Sequence, residues 1–157
     1  MVGGVEEKMN RGIDYNAIAV LCFCATEDGL WIVHKRGKKC KTPDVWGFMS
    51  GKLELGEQPQ DCVIREVQEE YGCAPIQIAS LEPRMGFLEH GGTTHNWLML
   101  PYFVRVNSGD IRPNKREVAE MAFLDTFEEI QEPRHPGLMP MLDYHREELE
   151  KLLRYRG

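Results

Sequence analysis

The sequence predicts an α/β protein in which helices flank a mixed β-sheet. Residues 15–25, Tyr-Asn-Ala-Ile-Ala-Val-Leu-Cys-Phe-Cys-Ala, are apolar at both alternating positions, the pattern of a strand covered on both faces. Further strand-like runs follow a helical segment that begins at Pro59. A second helical stripe begins after Pro136. Strands between two helices, in that order, give a layered fold. At 157 residues the chain can bury a core without staples. Residues 14–157 read as one domain, preceded by a polar, glycine-bearing, flexible arm at 1–13.

After the first strand, Glu27-Asp28-Gly29 is a turn, and residues 30–34 return as its hairpin partner. Residues 34–41, His-Lys-Arg-Gly-Lys-Lys-Cys-Lys, are the dense basic run of an acidic chain. The run is either a solvated loop or a set of cations for a substrate's phosphates, with Lys35 and Arg36 best placed at the strand's end. Trp46 and Phe48 come next, each either core or a stacking surface for a base. Pro59 suits the first turn of a helix, Gly72 supplies the left-handed conformation at its end, and Pro75 prevents its resumption. Val63, Ile64, Val67 and Tyr71 share one arc of that helix and form its expected core face. Residues 76–89 and 96–107 read as strands joined by His90-Gly91-Gly92-Thr93-Thr94-His95. Trp97 is a third candidate aromatic, and Pro101 implies an edge or a bulge. Ser108-Gly109-Asp110 is a turn. Leu138, Leu142, Leu149, Leu152 and Leu153 then recur at helical spacing, the stripe of an amphipathic closing helix.

Composition removes several function classes. A net charge of −6 argues against binding extended nucleic acid, which needs a basic face. No apolar run approaches membrane-spanning length, and the first residues lack a secretory apolar region. Five cysteines show no paired metal-ligand spacing, so buried thiols in a reducing cytoplasm are expected.

The chemistry concentrates in residues 51–73. Glu66, Glu69 and Glu70 stand at i, i+3 and i+4, on a different arc from the core face and shared with Cys62. Like charges at that spacing repel. Either the strip is a solvated acidic face, or a divalent cation neutralises it, since hard cations such as Mg²⁺ or Mn²⁺ prefer carboxylate and carbonyl oxygen. Arg65, four residues before Glu69, can hold that carboxylate.

These residues resemble a known family. Gly51, Glu57, Arg65, Glu66, Val67, Glu69, Glu70, Gly72 and Cys73 match the Nudix hydrolase box, glycine-x5-Glu-x7-Arg-Glu-apolar-x-Glu-Glu-x-glycine-apolar. The usual Pro-Gly-Gly entry is replaced by Met49-Ser50-Gly51, and Gln58 is a poorer helix N-cap than Ser or Thr. Residues 120–124 resemble the short Nudix strand that follows a Glu-rich loop, and residues 127–130 a helical turn.

The resemblance implies an α/β/α sandwich with a mixed sheet, and hydrolysis of a nucleoside diphosphate linked to some group X. It implies Mg²⁺, with Mn²⁺ as an alternative, held by Glu66, Glu69, Glu70 and the Gly51 carbonyl, with Glu57 assisting through a metal-bound water. Glu69 is the in-box choice of general base; Glu89, Glu117 and Glu120 are the choices outside it, and His90 and His95 stay open. Glu120 also belongs to the expected substrate cleft. Markers of the ADP-ribose, dinucleoside polyphosphate, coenzyme A and NADH subfamilies are missing. The expected substrate is therefore a nucleoside triphosphate, cleaved to monophosphate and pyrophosphate. The alternatives are an ADP-ribose or nucleotide-sugar pyrophosphatase, a non-catalytic nucleotide sensor, and an isopentenyl diphosphate isomerase relative. A small nucleotide is the expected partner, no membrane is expected, and a homodimer is compatible with the sequence.

Overall fold

The computed structural model describes residues 8–155, apart from the side chains of Leu88 and His90. Positions 1–7 of the expected arm, and the open choice at His90, lie outside the described residues. The central strand β1 (Ala17–Thr26) pairs antiparallel with β2 (Trp31–Arg36) and with β4 (Met49–Lys52). On its other side it runs parallel to β7 (Thr93–Val106), from Ala17 opposite Trp97 to Thr26 opposite Val106. β3 (Trp46–Gly47) and β8 (Val118–Leu124) extend the sheet from β2, while β5 (Gln77–Ser80) and β6 (Arg84–His90) extend it from β7. The result is a mixed sheet with one helix on each face.

Alternation along β1 divides the core in two. Val20, Cys22 and Cys24 pack with Val63, Val67 and Tyr71 of helix α1 (Pro59–Tyr71). Leu21, Phe23 and Ala25 pack with Leu138, Leu142 and Leu149 of helix α2 (Leu138–Arg154). The cysteines are free, and four of the five are buried, as the sequence led one to expect. Among the described residues no helix is long and apolar enough to cross a membrane.

Four sequence expectations need correction. Trp46 and Phe48 are core residues, packed with Trp31, Phe103 and Phe127 under α2, and neither ring is open to a base. Ile64 is 42% exposed, while Cys62, Glu66 and Glu70 are buried. The buried arc of α1 is turned towards β4, where Gly51 leaves room for the Glu66 carboxyl. Residues 76–89 are two strands, because the chain breaks at residues 81–83 around Pro83. Pro101 lies inside the sheet, not at an edge. There β7 changes antiparallel partner, from β6 (Met99 opposite Arg84) to β5 (Tyr102 opposite Ser80). At the handover the Pro101 carbonyl accepts from Leu81 N–H at 2.9 Å, and the proline's missing donor falls in the gap between partners.

Candidate functional site

Helix α1 starts at Pro59 without a side-chain cap on Gln58, and ends on Gly72 at φ 65°. Its last turn is tied to the loop before β8: Arg112 N–H donates to the Tyr71 carbonyl at 2.7 Å, and Asn114 N–H to the Glu70 carbonyl at 2.8 Å. The box carboxylates are thus fixed on a helix clamped at its end.

Arg65 is the organiser of the exposed side of the box. Its Nε and Nη2 grip both oxygens of Glu57, at 2.7 and 2.9 Å. Nη1 donates to Glu66 at 2.9 Å and to Glu69 at 3.3 Å, and Nη2 to the Lys52 carbonyl at 3.1 Å. Glu69 is therefore a partner, as its spacing suggests, but Glu57 is the principal one. The Arg65 hydrogen bonds hold the Glu57 carboxyl down at about 2.

The inner side of the strip is different. Glu66 and Glu70 are buried one turn apart on α1. Burial raises the Glu66 pKa against the opposing effects of Glu70 and Arg65. Burial, then Glu66 and Glu117, push the Glu70 carboxyl up to about 9, with Arg36 acting in the opposite direction. Two buried carboxyl groups this close disfavour simultaneous ionisation. Glu70 Oε2 has no hydrogen-bond partner. His34 reaches the same group: Nδ1 lies 2.7 Å from the Tyr71 hydroxyl, and Nε2 lies 3.8 Å from Glu70 Oε1. Burial, reinforced by Arg36, lowers the His34 pKa to about 4, so the ring is neutral at pH 7.

Among the described residues no three His, Cys, Asp or Glu side chains form a ready-made ion cage. The donor chemistry nevertheless fits a divalent cation. The Glu66–Glu70 pair supplies hard oxygen, and one buried oxygen, Glu70 Oε2, is orphaned. The approach is close enough that a Cβ on Gly51 would overlap the Glu66 carboxyl.

Of the remaining candidates, Lys35 faces Glu120 across β2 and β8, half-buried, and Glu120 is exposed. Arg36 turns towards Glu70 and His34, and its buried Nε has no hydrogen-bond partner. Glu117 lies near Glu70, and Glu89 is exposed on β6, opposite Thr94 of β7. Of the three aromatics only Trp97 is half open.

A cationic group escaped the sequence reading. Lys52 Nζ sits 5.9 Å from the centre of the Trp97 ring. Burial, then the charges of Lys41 and Arg11, lower the Lys52 pKa, so two further cations lie within electrostatic reach of it. Among the described residues none of the three has a carboxylate partner. Gly12 packs on the Trp97 indole, and Asn96 N–H donates to the Gly12 carbonyl at 2.7 Å, which brings Arg11 there. Strand alternation was the available signal: if Gly51 faces α1, Lys52 faces the other side of the sheet. The meeting with Lys41 and Arg11 depends on loops, which periodicity does not read.

Comparison with known proteins adds the following. The sequence profile of the family described as NUDIX domain matches residues 15–144. The NAD-capped RNA hydrolase NudC of Chromobacterium violaceum is 31% identical over 105 residues, which are 66% of this chain and 35% of that protein. The chain thus spans about a third of the length of that curated relative. The crystal structure of a MutT NUDIX hydrolase from Burkholderia pseudomallei superposes with a TM-score of 0.69 at 20% identity, covering 82% of this chain and 97% of that one. The NUDIX domain of Shewanella oneidensis NrtR, complexed with ADP ribose, also superposes at 0.69, with 14% identity and coverage of 86% and 89%. At these identities the two structures establish the fold alone.

Proposed function

The chain belongs to the Nudix hydrolase family, and from that premise we propose that it hydrolyses a diphosphate linkage in a nucleoside diphosphate linked to X. The observation that carries the reading is a juxtaposition at one edge strand. Gly51 of β4 abuts the buried Glu66–Glu70 pair, and the next residue, Lys52, joins Lys41 and Arg11 beside Trp97. Oxygen donors for a divalent cation stand next to cations and a ring suited to phosphate and base.

Glu66, Glu70, Glu69 and the Gly51 carbonyl would hold Mg²⁺ or Mn²⁺. A divalent ion bound there supplies charge neutralisation at the phosphates and lowers the pKa of coordinated water. The protein's own part is positioning, which dominates phosphoryl transfer. Arg65 holds Glu57, Glu66 and Glu69 in one constellation. Glu69, the exposed member, is the carboxylate open to receive a proton from water. Lys52, Lys41 and Arg11 bind phosphate oxygens remote from the carboxylates, and Trp97 stacks the base. Arg36 lies close enough to Glu70 for its charge to favour the ionised carboxylate.

We assign a free nucleoside triphosphate as the substrate, cleaved to monophosphate and pyrophosphate. Three clustered cations suit a phosphate chain. The test is kcat/KM with Mg²⁺ across triphosphates, ADP-ribose, a nucleotide sugar and NAD, the last because a relative is named for NAD-capped RNA. A triphosphate leading the panel supports the assignment. Any other compound ahead by tenfold overturns it while leaving the metal chemistry in place.

A further inference from the structure

We propose that His34 and Tyr71 are positioning residues for Glu70, together fixing the direction in which its carboxylate meets the cation. The inference rests on the reading of Glu70 as a metal-binding carboxylate. Three side chains from two elements meet in a dry pocket between β2 and α1. His34 is 3% exposed, Tyr71 0% and Glu70 6%. The Tyr71 ring meets the imidazole edge-on, at 81°, and its hydroxyl lies 2.7 Å from Nδ1. With the hydroxyl donating to Nδ1, the ring proton of neutral His34 resides on Nε2, the nitrogen that faces Glu70 Oε1.

At 3.8 Å that contact is too long for a hydrogen bond. With a cation bound, Glu70 needs a donor behind it, and Nε2–H already faces one of its oxygens. The other oxygen, Oε2, has no partner and is left for the ion. Arg36 and Glu117 also face this carboxyl, the first favouring its ionised form and the second opposing it. Neither is seen to fix the angle of the group. The carboxylate–imidazole–phenol order reverses the usual metal–histidine–carboxylate one, but the physical function is the same: an outer partner orients the ligating group.

A core histidine merely satisfied by a tyrosine would contribute stability alone, so the test separates stability from ion binding. Mn²⁺ affinity is measured by electron paramagnetic resonance, and Tm in metal-free buffer, for the wild type, Tyr71→Phe, Glu70→Gln and the double variant. Tyr71→Phe removes one hydroxyl and keeps the ring. The expected result is a ten- to hundredfold weaker Mn²⁺ affinity in Tyr71→Phe, in the range typical of lost outer partners. No further loss is expected when Tyr71→Phe is added to Glu70→Gln. His34→Gln, which retains an N–H donor, should bind Mn²⁺ more tightly than His34→Leu, and this pair carries the test if Tyr71→Phe does not fold. Wild-type Mn²⁺ affinity in Tyr71→Phe, with Glu70→Gln weakened, overturns the positioning role and leaves the metal reading intact. Wild-type affinity in Glu70→Gln overturns the metal reading and the inference with it.

Discussion

Gly51 and Glu66 are in direct contact, the backbone of one against the carboxyl of the other, with no space for even a methyl group between them. The requirement for glycine at this point is therefore steric. Gly51→Ala must displace the Glu66 carboxyl or push β4 away from α1. It should weaken Mn²⁺ binding at least tenfold and lower Tm by several degrees. Isothermal titration and a thermal melt check both, and unchanged Mn²⁺ binding would show that the contact is incidental.

Hydrolysis should require a divalent cation, and Glu70→Gln should reduce kcat/KM by two or more orders of magnitude with the fold retained. The metal-free variant should be no less stable than the wild type, since a neutral amide replaces a carboxyl whose ionised form burial and Glu66 already disfavour. Full turnover in excess chelator would refute the metal chemistry.

The metal-free protein should lose stability as the pH rises from 6.5 to about 8. Glu70 keeps its proton in the folded state, with a pKa of about 9, whereas the unfolded carboxyl, at 4.5, has lost it. Folded protein therefore binds the extra proton, and the unfolding free energy falls with pH, by up to about 1.4 kcal/mol per unit. Below 6.5 the lowered His34 acts with the opposite sign: stability is lost as the pH falls towards 4, because the unfolded imidazole takes up a proton first. Denaturant melts across this window should slope downward in the wild type and be nearly flat in Glu70→Gln.

The three aromatics should separate cleanly. Trp46→Ala and Phe48→Ala remove core rings and should each cost about 3–5 kcal/mol in stability. Trp97→Ala and Lys52→Ala should instead raise KM several-fold with little change in kcat, the mark of uniform binding. Tm and Michaelis parameters measured on all four variants decide the matter. A KM unchanged in Lys52→Ala would remove the cationic group from the substrate site.

The box was legible because its donors are close in sequence: Glu66, Glu69 and Glu70 are placed relative to one another by helical geometry alone. The layered fold was legible for a similar reason, since β1 is apolar on both faces and α2 on one. Other features depend on what packs over them. Whether Trp46 and Phe48 stack on a base or fill a core is decided by α2, which follows them by some ninety residues. Ile64 was misplaced because periodicity fixes which residues share an arc of α1, but not how that arc is turned against β4. Arg65 reaches Glu57 through the loop before the helix, a contact that the i,i+4 rule does not contain. Pro101 was read as marking an edge or a bulge because a proline without a donor fits badly in a paired strand; a strand with two successive partners provides the needed gap.

That exchange of partners at Pro101 divides a 14-residue strand into two mechanical regimes. From Phe103 to Val106 the strand is buried between β1 and β5. Residues 95–100, which carry Trp97, are only half covered and answer to the β6 hairpin. Amide exchange should accordingly be slow at Phe103 and Val104 and faster around Trp97, with the change at the proline. The wall carrying the ring can then breathe while the floor under the carboxylates stays still.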